Sequence, residues 1–430
     1  MINKDYNQLL LDVQKHFGSN INKIPQLKLL KEAIEFETGK AIGFNTLRRF
    51  FGFLDYTKPN LNTLNSLSQY LGYSSYGIYQ KNFFYDEEWH RWERVVEIEL
   101  TNTITEAHII WLQSQINTYE YYVKIISIIK TLIYRKKYEL LNTFFDHRIF
   151  IFEETNRLKL ASNVCLIFRS LDTKSINKII KVLSPNVVFR ENVLHWFIDY
   201  SYLNGYYGSF LSKVSPFAKT DSHESLFSDL MTNYNNYLSG KNNFKQIPID
   251  RIKDDFYIVL KGRCYGYNLI YYGEQENSIE YEKTWKAFLK IIKNPEEINL
   301  LTVEIFPALL LVKDLDKANY LIQKYYEDIL TISNWSGYHM QAATLLALTV
   351  SSINANKIKE ATATFSFINV SKFSISYIAY ISLFYLLVKY KLGVANTIAE
   401  NELQKIENEY VTIVEETGFK RFSVRFLKNY

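Results

Sequence analysis

Residues 23–60 contain more basic than acidic side chains. This stretch contains seven basic and four acidic residues, a net charge of +3, and the arginine pair Arg48-Arg49 lies within it. Lysine and arginine at this density can neutralise the phosphates of a nucleic acid and release its counterions. The same pair also suits an ordinary solvated helix face. From the residues alone, both interpretations stay open.

Motifs for catalysis and for metal binding are absent from the sequence. It contains no glycine-rich nucleotide loop, no HExxH and no GxSxG. The seven histidines are scattered, and we expect His195 and His339, which lie in apolar segments, to be hydrogen-bonded core residues. Asp146 and His147 are adjacent, so on a helix they point about 100° apart and do not converge. We therefore expect no enzyme, cofactor or metal site, although an active site assembled only by folding stays an alternative.

Three predicted helices position the arginine pair. The first has a helical apolar stripe and ends at Gly39, because glycine suits a left-handed cap. The second spans about 45–51 and directs Leu47 inward. Asn60 or Asn62 caps the third. The apolar stripe of the third helix consists of Leu61, Leu64, Leu67, Tyr70 and Leu71.

This order of segments resembles the helix-turn-helix domain of phage-repressor-like (XRE-type) regulators. IGFNTLRRFFG (42–52) resembles the recognition helix of that family, and KPNLNTLNSLSQYLGY (58–73) resembles its closing element. The resemblance covers about 55 residues. The sequence departs from the family at Gly43, where a capping Ser or Thr is common, and at Phe44 and Phe51, which are unusually apolar for a groove. These departures favour the alternative, a domain that docks protein.

The resemblance implies a partner, double-stranded DNA, and a role for each site residue. Phe44, Asn45 and Arg49 would face base edges: Phe44 a thymine methyl, Asn45 an adenine and Arg49 a guanine. The resemblance also implies phosphate contacts from further residues, with Asn60 presenting a helix N-terminus. The proposed phosphate-contacting residues are Lys40, Thr46, Arg48, Lys58 and Asn60.

The rest of the chain has the composition of an all-helical protein. It has 430 residues, 47% of them hydrophobic, with only 15 Gly and 7 Pro, and this scarcity of turn residues argues against a large sheet. We expect a helix-turn-helix head at 1–84, an acidic joint at 85–100 and a helical body at 101–430. The acidic stretch could instead begin the next helix.

The body resembles degenerate tetratricopeptide-like repeats. Two segments share a cap, a lysine, a small alanine and then bulky residues, and their alanines, Ala318 and Ala361, lie 43 residues apart. We read Asp316 and Asn356 as the caps. The resemblance implies a right-handed α-solenoid of helical hairpins whose concave face binds a protein or peptide. An irregular helical domain is the alternative.

Cysteine usage and apolar runs indicate where the protein works. Cys165 and Cys264 are its only cysteines, which excludes a disulfide framework and suits a reducing compartment. The uncharged stretch 373–388 has 16 residues, fewer than the about 20 apolar residues that a membrane span needs, and it predicts a buried helix. We expect a cytoplasmic DNA-binding transcriptional regulator, forming a homodimer through its body; the alternative is a non-enzymatic adaptor.

Overall fold

The structure is a computed structural model that describes residues 6–55, 57–118, 120–294, 297–325, 328 and 338–430, with the backbone alone for 81–88. Within these ranges every regular element is a helix and no strand occurs, which confirms the all-α class. The chain divides into two compact units, Met1–Leu100 and Thr101–Tyr430.

The first unit is built around a small apolar core. Its centre includes Leu27, Leu30 and Ile34, which recur at helical spacing on one face, together with Leu47 and Leu67, all fully buried. Burying apolar side chains on one face of each helix is what holds so small a unit together. The helices are α1 (Asn7–Phe17), α2 (Ile24–Thr38), α3 (Phe44–Phe50), α4 (Leu61–Tyr70) and α5 (Tyr76–Leu100).

The acidic segment expected to form a joint belongs to the first unit. Helix α5 runs from Tyr76 to Leu100 without a break, and the unit boundary falls directly after Leu100. The structure therefore differs from the expected separate element at 85–100, and also from a new helix that begins there. The sequence offered no glycine or proline to stop α5 within this segment.

The second unit continues with helices of 3 to 18 residues. They are α6 (Glu106–Ser114), α7 (Tyr121–Tyr134), α8 (Tyr138–Phe145), α9 (Glu154–Arg169), α10 (Thr173–Leu183), α11 (Val187–Phe189), α12 (Tyr206–Val214), α13 (His223–Leu238), α14 (Ile258–Glu274), α15 (Ser278–Ile291), α16 (Glu297–Leu311), α17 (Leu315–Lys324), α18 (Tyr338–Asn354), α19 (Ile358–Ser366), α20 (Ile378–Ala395), α21 (Glu400–Thr417) and α22 (Val424–Lys428). A π-helical turn, Arg190–Leu194, follows α11 directly.

Consecutive helices of the second unit pack as hairpins. The pairs α14–α15, α16–α17, α18–α19 and α20–α21 are each in contact, and the first helices α14, α16, α18 and α20 contact one another in that order. Near the start of the unit α7–α8 forms a similar pair, α7 contacts α9, and α8 contacts α10. Stacking of first helix on first helix buries a continuous core between neighbouring hairpins.

One type of turn recurs between the two helices of these hairpins. Lys136, Glu276, Lys313, Asn356 and Thr397 all have left-handed backbone, with φ between 50° and 59°. In every case the next residue donates its N–H to the carbonyl five positions back, as Asn277 does to Tyr272 and Asp314 to Leu309. This is the Schellman pattern, here without glycine. The last four of these positions are 37, 43 and 41 residues apart, so the turn repeats with the hairpins.

Two capping assignments from the sequence are corrected by the structure. Asp314, not Asp316, caps α17, and its Oδ1 accepts the N–H of Lys317 at 3.1 Å. Asn356 forms the left-handed turn before α19 and does not cap that helix. Ala318 and Ala361 are buried as expected for positions of close helix packing, which supports the shared register of the two segments.

Many tyrosines of the second unit are core residues. Tyr207 and Tyr267 are buried, and their hydroxyls donate to the carbonyls of Leu194 at 2.8 Å and Lys245 at 2.7 Å. For these two tyrosines the partner of the hydroxyl is the backbone, so the ring can enter the core without leaving a polar group unsatisfied.

Helix α20 contains most of the uncharged stretch 373–388. Among the described residues it alone is long and apolar enough to cross a membrane, and 56% of the relevant window is buried inside the protein. Core helices meet the same criterion. Close to it, Phe422 from the C-terminal segment is fully buried and packs edge-on against Phe384, at 5.3 Å between ring centroids. Phe422 therefore packs the C-terminal segment against α20.

Candidate nucleic-acid interface

Helix α3 has one buried and one exposed side. Leu47 and Phe50 face the core, whereas Asn45 and Arg49 are exposed. The helix begins after Gly43, which has extended backbone and provides no side-chain cap, as the sequence implied. A seven-residue helix with a weak start depends on its packing, so Leu47 is what fixes the direction of Asn45 and Arg49.

The turn between α2 and α3 is tied by Glu35. Its Oε1 accepts the N–H of Ile42 at 3.0 Å, and its Oε2 accepts Lys31 Nζ at 2.6 Å. The hydrogen bond from Lys31, followed by that from Ile42, lowers the pKa of this carboxyl group. Gly39 lies in the left-handed region with φ 65°, as predicted for the end of α2. The sequence pattern did not reveal Glu35, because its role depends on a partner seven residues away.

The other acid near the turn is also engaged. Glu37 Oε2 lies 3.6 Å from His16 Nε2 on α1. A DNA-binding surface requires the acids of α2 to face away from phosphate. Glu35 is half-buried and engaged by its two hydrogen bonds, whereas Glu37, Glu32 and Asp55 are exposed.

Asn45 and Arg48 are the predicted site residues that share a hydrogen bond within the described part of the chain. Arg48 Nη1 donates to Asn45 Oδ1 at 3.3 Å. The Nε atom of Arg48 is buried without a hydrogen-bond partner among the described residues, so only the outer end of its guanidinium can reach an external group. The bond engages the Oδ1 atom of Asn45, so its Nδ2 is the atom left to donate to an external group.

Phe44 and Thr46 are less available than Asn45. Phe44 is half-buried and packs against the core of the first unit, so only part of its ring could meet a thymine methyl group. Thr46 is also half-buried, and its N–H donates to the carbonyl of Gly43 at 3.0 Å in the first turn of α3. Both residues therefore have a structural role in positioning the helix.

The predicted flanking residues lie on either side of α3 in the chain. Lys40 and Lys58 are exposed, and neither they nor Arg49 form an ion pair within the described residues. Asn60 caps α4: its Oδ1 accepts from the N–H of Thr63 at 2.8 Å and from Thr63 Oγ1 at 2.9 Å. Since its oxygen is occupied, Asn60 can contribute to phosphate binding only through its Nδ2 or through the adjacent helix N-terminus.

The second unit contains a cavity that the sequence did not predict. It is a cavity of about 630 Å³ whose wall is drawn from residues between Glu154 and Tyr377. No local signal could have indicated it, because seven separate segments of chain form the wall. Among the described residues no cluster of three His, Cys, Asp or Glu side chains is arranged to hold a metal ion.

In comparisons with known proteins, no family model, no curated protein and no solved structure matches this chain. Its function therefore has to be argued from its own geometry and chemistry.

Proposed function

We propose that the protein is a DNA-binding transcriptional regulator, and that its first unit is a phage-repressor-like helix-turn-helix domain. The observation that carries the proposal is α3. It buries Leu47 and Phe50 and presents Asn45 and Arg49 to solvent, directly after a short turn from α2. A short helix with an amide and a guanidinium on its outer side is what reads base edges in the major groove.

The surrounding charges support the same role. Lys40, Arg49 and Lys58 have no carboxylate partner within the described residues, while Glu35 is held by two hydrogen bonds inside the first unit. Exposed cations without a carboxylate partner suit a polyanion. In the proposed complex Arg49 contacts guanine and Asn45 contacts adenine, while Lys40, Arg48, Lys58 and the N-terminus of α4 contact phosphate.

The second unit is proposed to be a right-handed solenoid that receives a signal or a protein partner and carries no enzymatic activity. The recurring hairpins and their shared left-handed turns support a tetratricopeptide-like architecture. A regulator of this type usually places two domains one helical turn of DNA apart, so we propose a homodimer formed through the second unit. Strictly monomeric sedimentation at micromolar concentration, with and without DNA, would contradict the dimer.

The experiment is a titration of the full chain with AT-rich duplex DNA at two salt concentrations, followed by fluorescence anisotropy. True phosphate contacts make log affinity fall against log salt with a slope of about −0.9 per contact. Arg49→Ala should cost about 1–3 kcal/mol and relax specificity at one base, whereas Lys58→Ala should weaken all sequences alike and reduce the slope by about one. Lys15→Ala, at an exposed position on α1, removes one positive charge and should leave both the affinity and the salt slope unchanged.

A non-enzymatic adaptor is the alternative, and one observation favours it. Phe36 on α2 is 91% exposed, and Leu29, seven residues earlier on the same face, is 57% exposed. Exposed large apolar side chains at helical spacing suit a protein partner. Binding to DNA that shows no salt dependence, or that survives Arg48→Ala/Arg49→Ala with the fold intact, would favour the adaptor.

A further inference from the structure

The cavity in the second unit has the size and lining of a site for an organic molecule. Its volume is about 630 Å³, and its wall includes Trp196, Phe227, Tyr257, Leu260 and Val303. Cavities of about 300–1,000 Å³ with mainly apolar walls and a few polar groups are typical of small-molecule sites. The hydrogen bonding of two histidines in its wall indicates what this cavity could bind.

His195 lines the cavity, and its ring makes no hydrogen bond to any residue that the structure describes. Its side chain is 9% exposed, and both ring nitrogens are buried without a partner among the described residues. Its ring packs 4.8 Å from that of Phe227. Glu224 Oε1 is 3.9 Å from Nδ1, too far for a hydrogen bond, and that carboxylate binds Arg190. Burial lowers the pKa of His195 to about 3, so the imidazole is neutral at pH 7.

His339 lies in the same wall and is in a similar state. It is 5% exposed, its Nδ1 has no partner within the described residues, and its ring stacks on Tyr377 at 4.7 Å and 18°. Burial lowers its pKa to about 4, so it too is neutral. Buried polar atoms are nearly always hydrogen-bonded, and a neutral imidazole offers one donor and one acceptor. Among the described residues, the expectation of hydrogen-bonded core histidines is therefore wrong for both ring nitrogens of His195 and for Nδ1 of His339, and both residues line the cavity.

The charges around the cavity select against an anion. Arg263 is the lining residue that could bind one, but Glu304 already holds its guanidinium through two hydrogen bonds, and Tyr377 contacts both. The other charged side chains in the wall are the acids Glu154, Glu191 and Asp255, which are exposed. A carboxylate or phosphate would thus meet like charges and no free cation.

We propose that this cavity binds an uncharged, largely aromatic organic molecule whose carbonyl or hydroxyl oxygen accepts a hydrogen bond from His195 or His339. The molecule is the signal for the receiving role proposed above, on which this inference rests. Binding to the second unit is measured without DNA, so the DNA titration and this proposal can fail independently.

The test uses Nile red, an uncharged aromatic dye, as a fluorescent reporter of the cavity in the full chain. Met340→Trp and, as a second variant, Leu300→Trp place bulk from half-buried wall positions into the cavity. Each should lower the affinity for Nile red by at least about 10-fold. Val394→Trp, at a position 52% exposed and outside the wall, is the matched control and should have no effect. Circular dichroism verifies folding, and equal Nile red binding by wild type and both folded variants would overturn the site.

Displacement of Nile red then tests the ligand class. Three probes of one shape are compared: 2-acetylnaphthalene, its hydrocarbon isostere 2-isopropenylnaphthalene, and the anion 2-naphthoate. The preference for ketone over hydrocarbon should fall about 3- to 10-fold in His195→Phe/His339→Phe, because the hydrogen bond is lost while apolar contacts stay. An unchanged preference would overturn the role of the histidines. Binding of 2-naphthoate as tight as that of the ketone would overturn the uncharged class, leaving an anion or an acidic peptide end as occupant.

Discussion

Arginine has opposite surroundings in the two units. Arg49 in the first unit is exposed and without a carboxylate partner in the described residues, whereas Arg190 and Arg263 in the second unit are 3% and 5% exposed and bind Glu224 and Glu304. The exposed charge is available to an external partner and is screened by salt. The buried charges hold segments far apart in sequence together. Burial, and not residue type, therefore separates a binding role from a structural one.

The largest expected effect is the loss of a buried charge pair. Arg190 binds Glu224 and the carbonyls of Ser184 and Pro185, at 2.7–3.3 Å. Arg190→Met should lower the free energy of unfolding of the second unit by about 3–5 kcal/mol, because Glu224 stays buried and unpaired. Urea denaturation followed by circular dichroism measures it. Arg49→Met should change the free energy of unfolding by less than about 0.5 kcal/mol. Equal losses of stability in the two variants would contradict the difference between the buried and the exposed arginine.

The second effect tests whether the first unit can unfold independently of the second unit. Leu47 is fully buried, and Leu47→Ala should cost about 2–5 kcal/mol by opening a cavity beneath α3. Hydrogen exchange should accelerate throughout α2–α4 and stay unchanged in α14–α21. Leu29→Ala, at a position 57% exposed, is the control. Faster exchange in both units would show that they unfold together.

The third effect concerns pH and belongs to the second unit. Burial lowers the pKa of His195 from 6.5 to about 3, so the unfolded chain binds a proton between these values that the folded chain does not. Stability is therefore full above pH 6.5 and falls as the solution is acidified, by about 1.4 kcal/mol per pH unit for this residue, or about 2 kcal/mol at pH 5.

The matched comparison for the pH effect uses two histidines with different exposure. His195→Phe should reduce the dependence of stability on pH between 6.5 and 5 by about 1.4 kcal/mol per pH unit and leave the contribution of His339. His90→Phe, at a side chain 73% exposed, should leave the dependence as in wild type. Urea midpoints at half-unit steps of pH measure both. If the His195 variant keeps the full slope, the buried imidazole is not the group that titrates.

The smallest effect distinguishes two candidate caps. Asn60→Ala should destabilise the first unit by about 1 kcal/mol, since it removes the acceptor for the N–H of Thr63, whereas Asn62→Ala in the first turn of α4 should be nearly neutral. Thermal melting of the two variants side by side gives the difference. A larger loss of stability in Asn62→Ala than in Asn60→Ala would show that Asn62, and not Asn60, caps α4.

The sequence by itself determined features that depend on neighbours within a few residues. The spacing of Leu27, Leu30 and Ile34 predicted a helix with one buried face, and Gly39 marked its end. Scarce Gly and Pro predicted an all-helical protein, and the 43-residue interval between Ala318 and Ala361 predicted two positions that are both buried. These properties arise from backbone geometry and periodicity, which act locally.

Only the tertiary structure decided what depends on residues far apart in the chain. Glu35 ties the turn to α3, and Asp199 accepts two hydrogen bonds from Arg169, 30 residues away. In the wall of a cavity formed by seven segments, both ring nitrogens of His195 and Nδ1 of His339 have no hydrogen-bond partner among the described residues. Whether a buried polar group is satisfied depends on what packing brings to it, because hydrogen bonding and desolvation act over a few ångströms of space and not along the sequence.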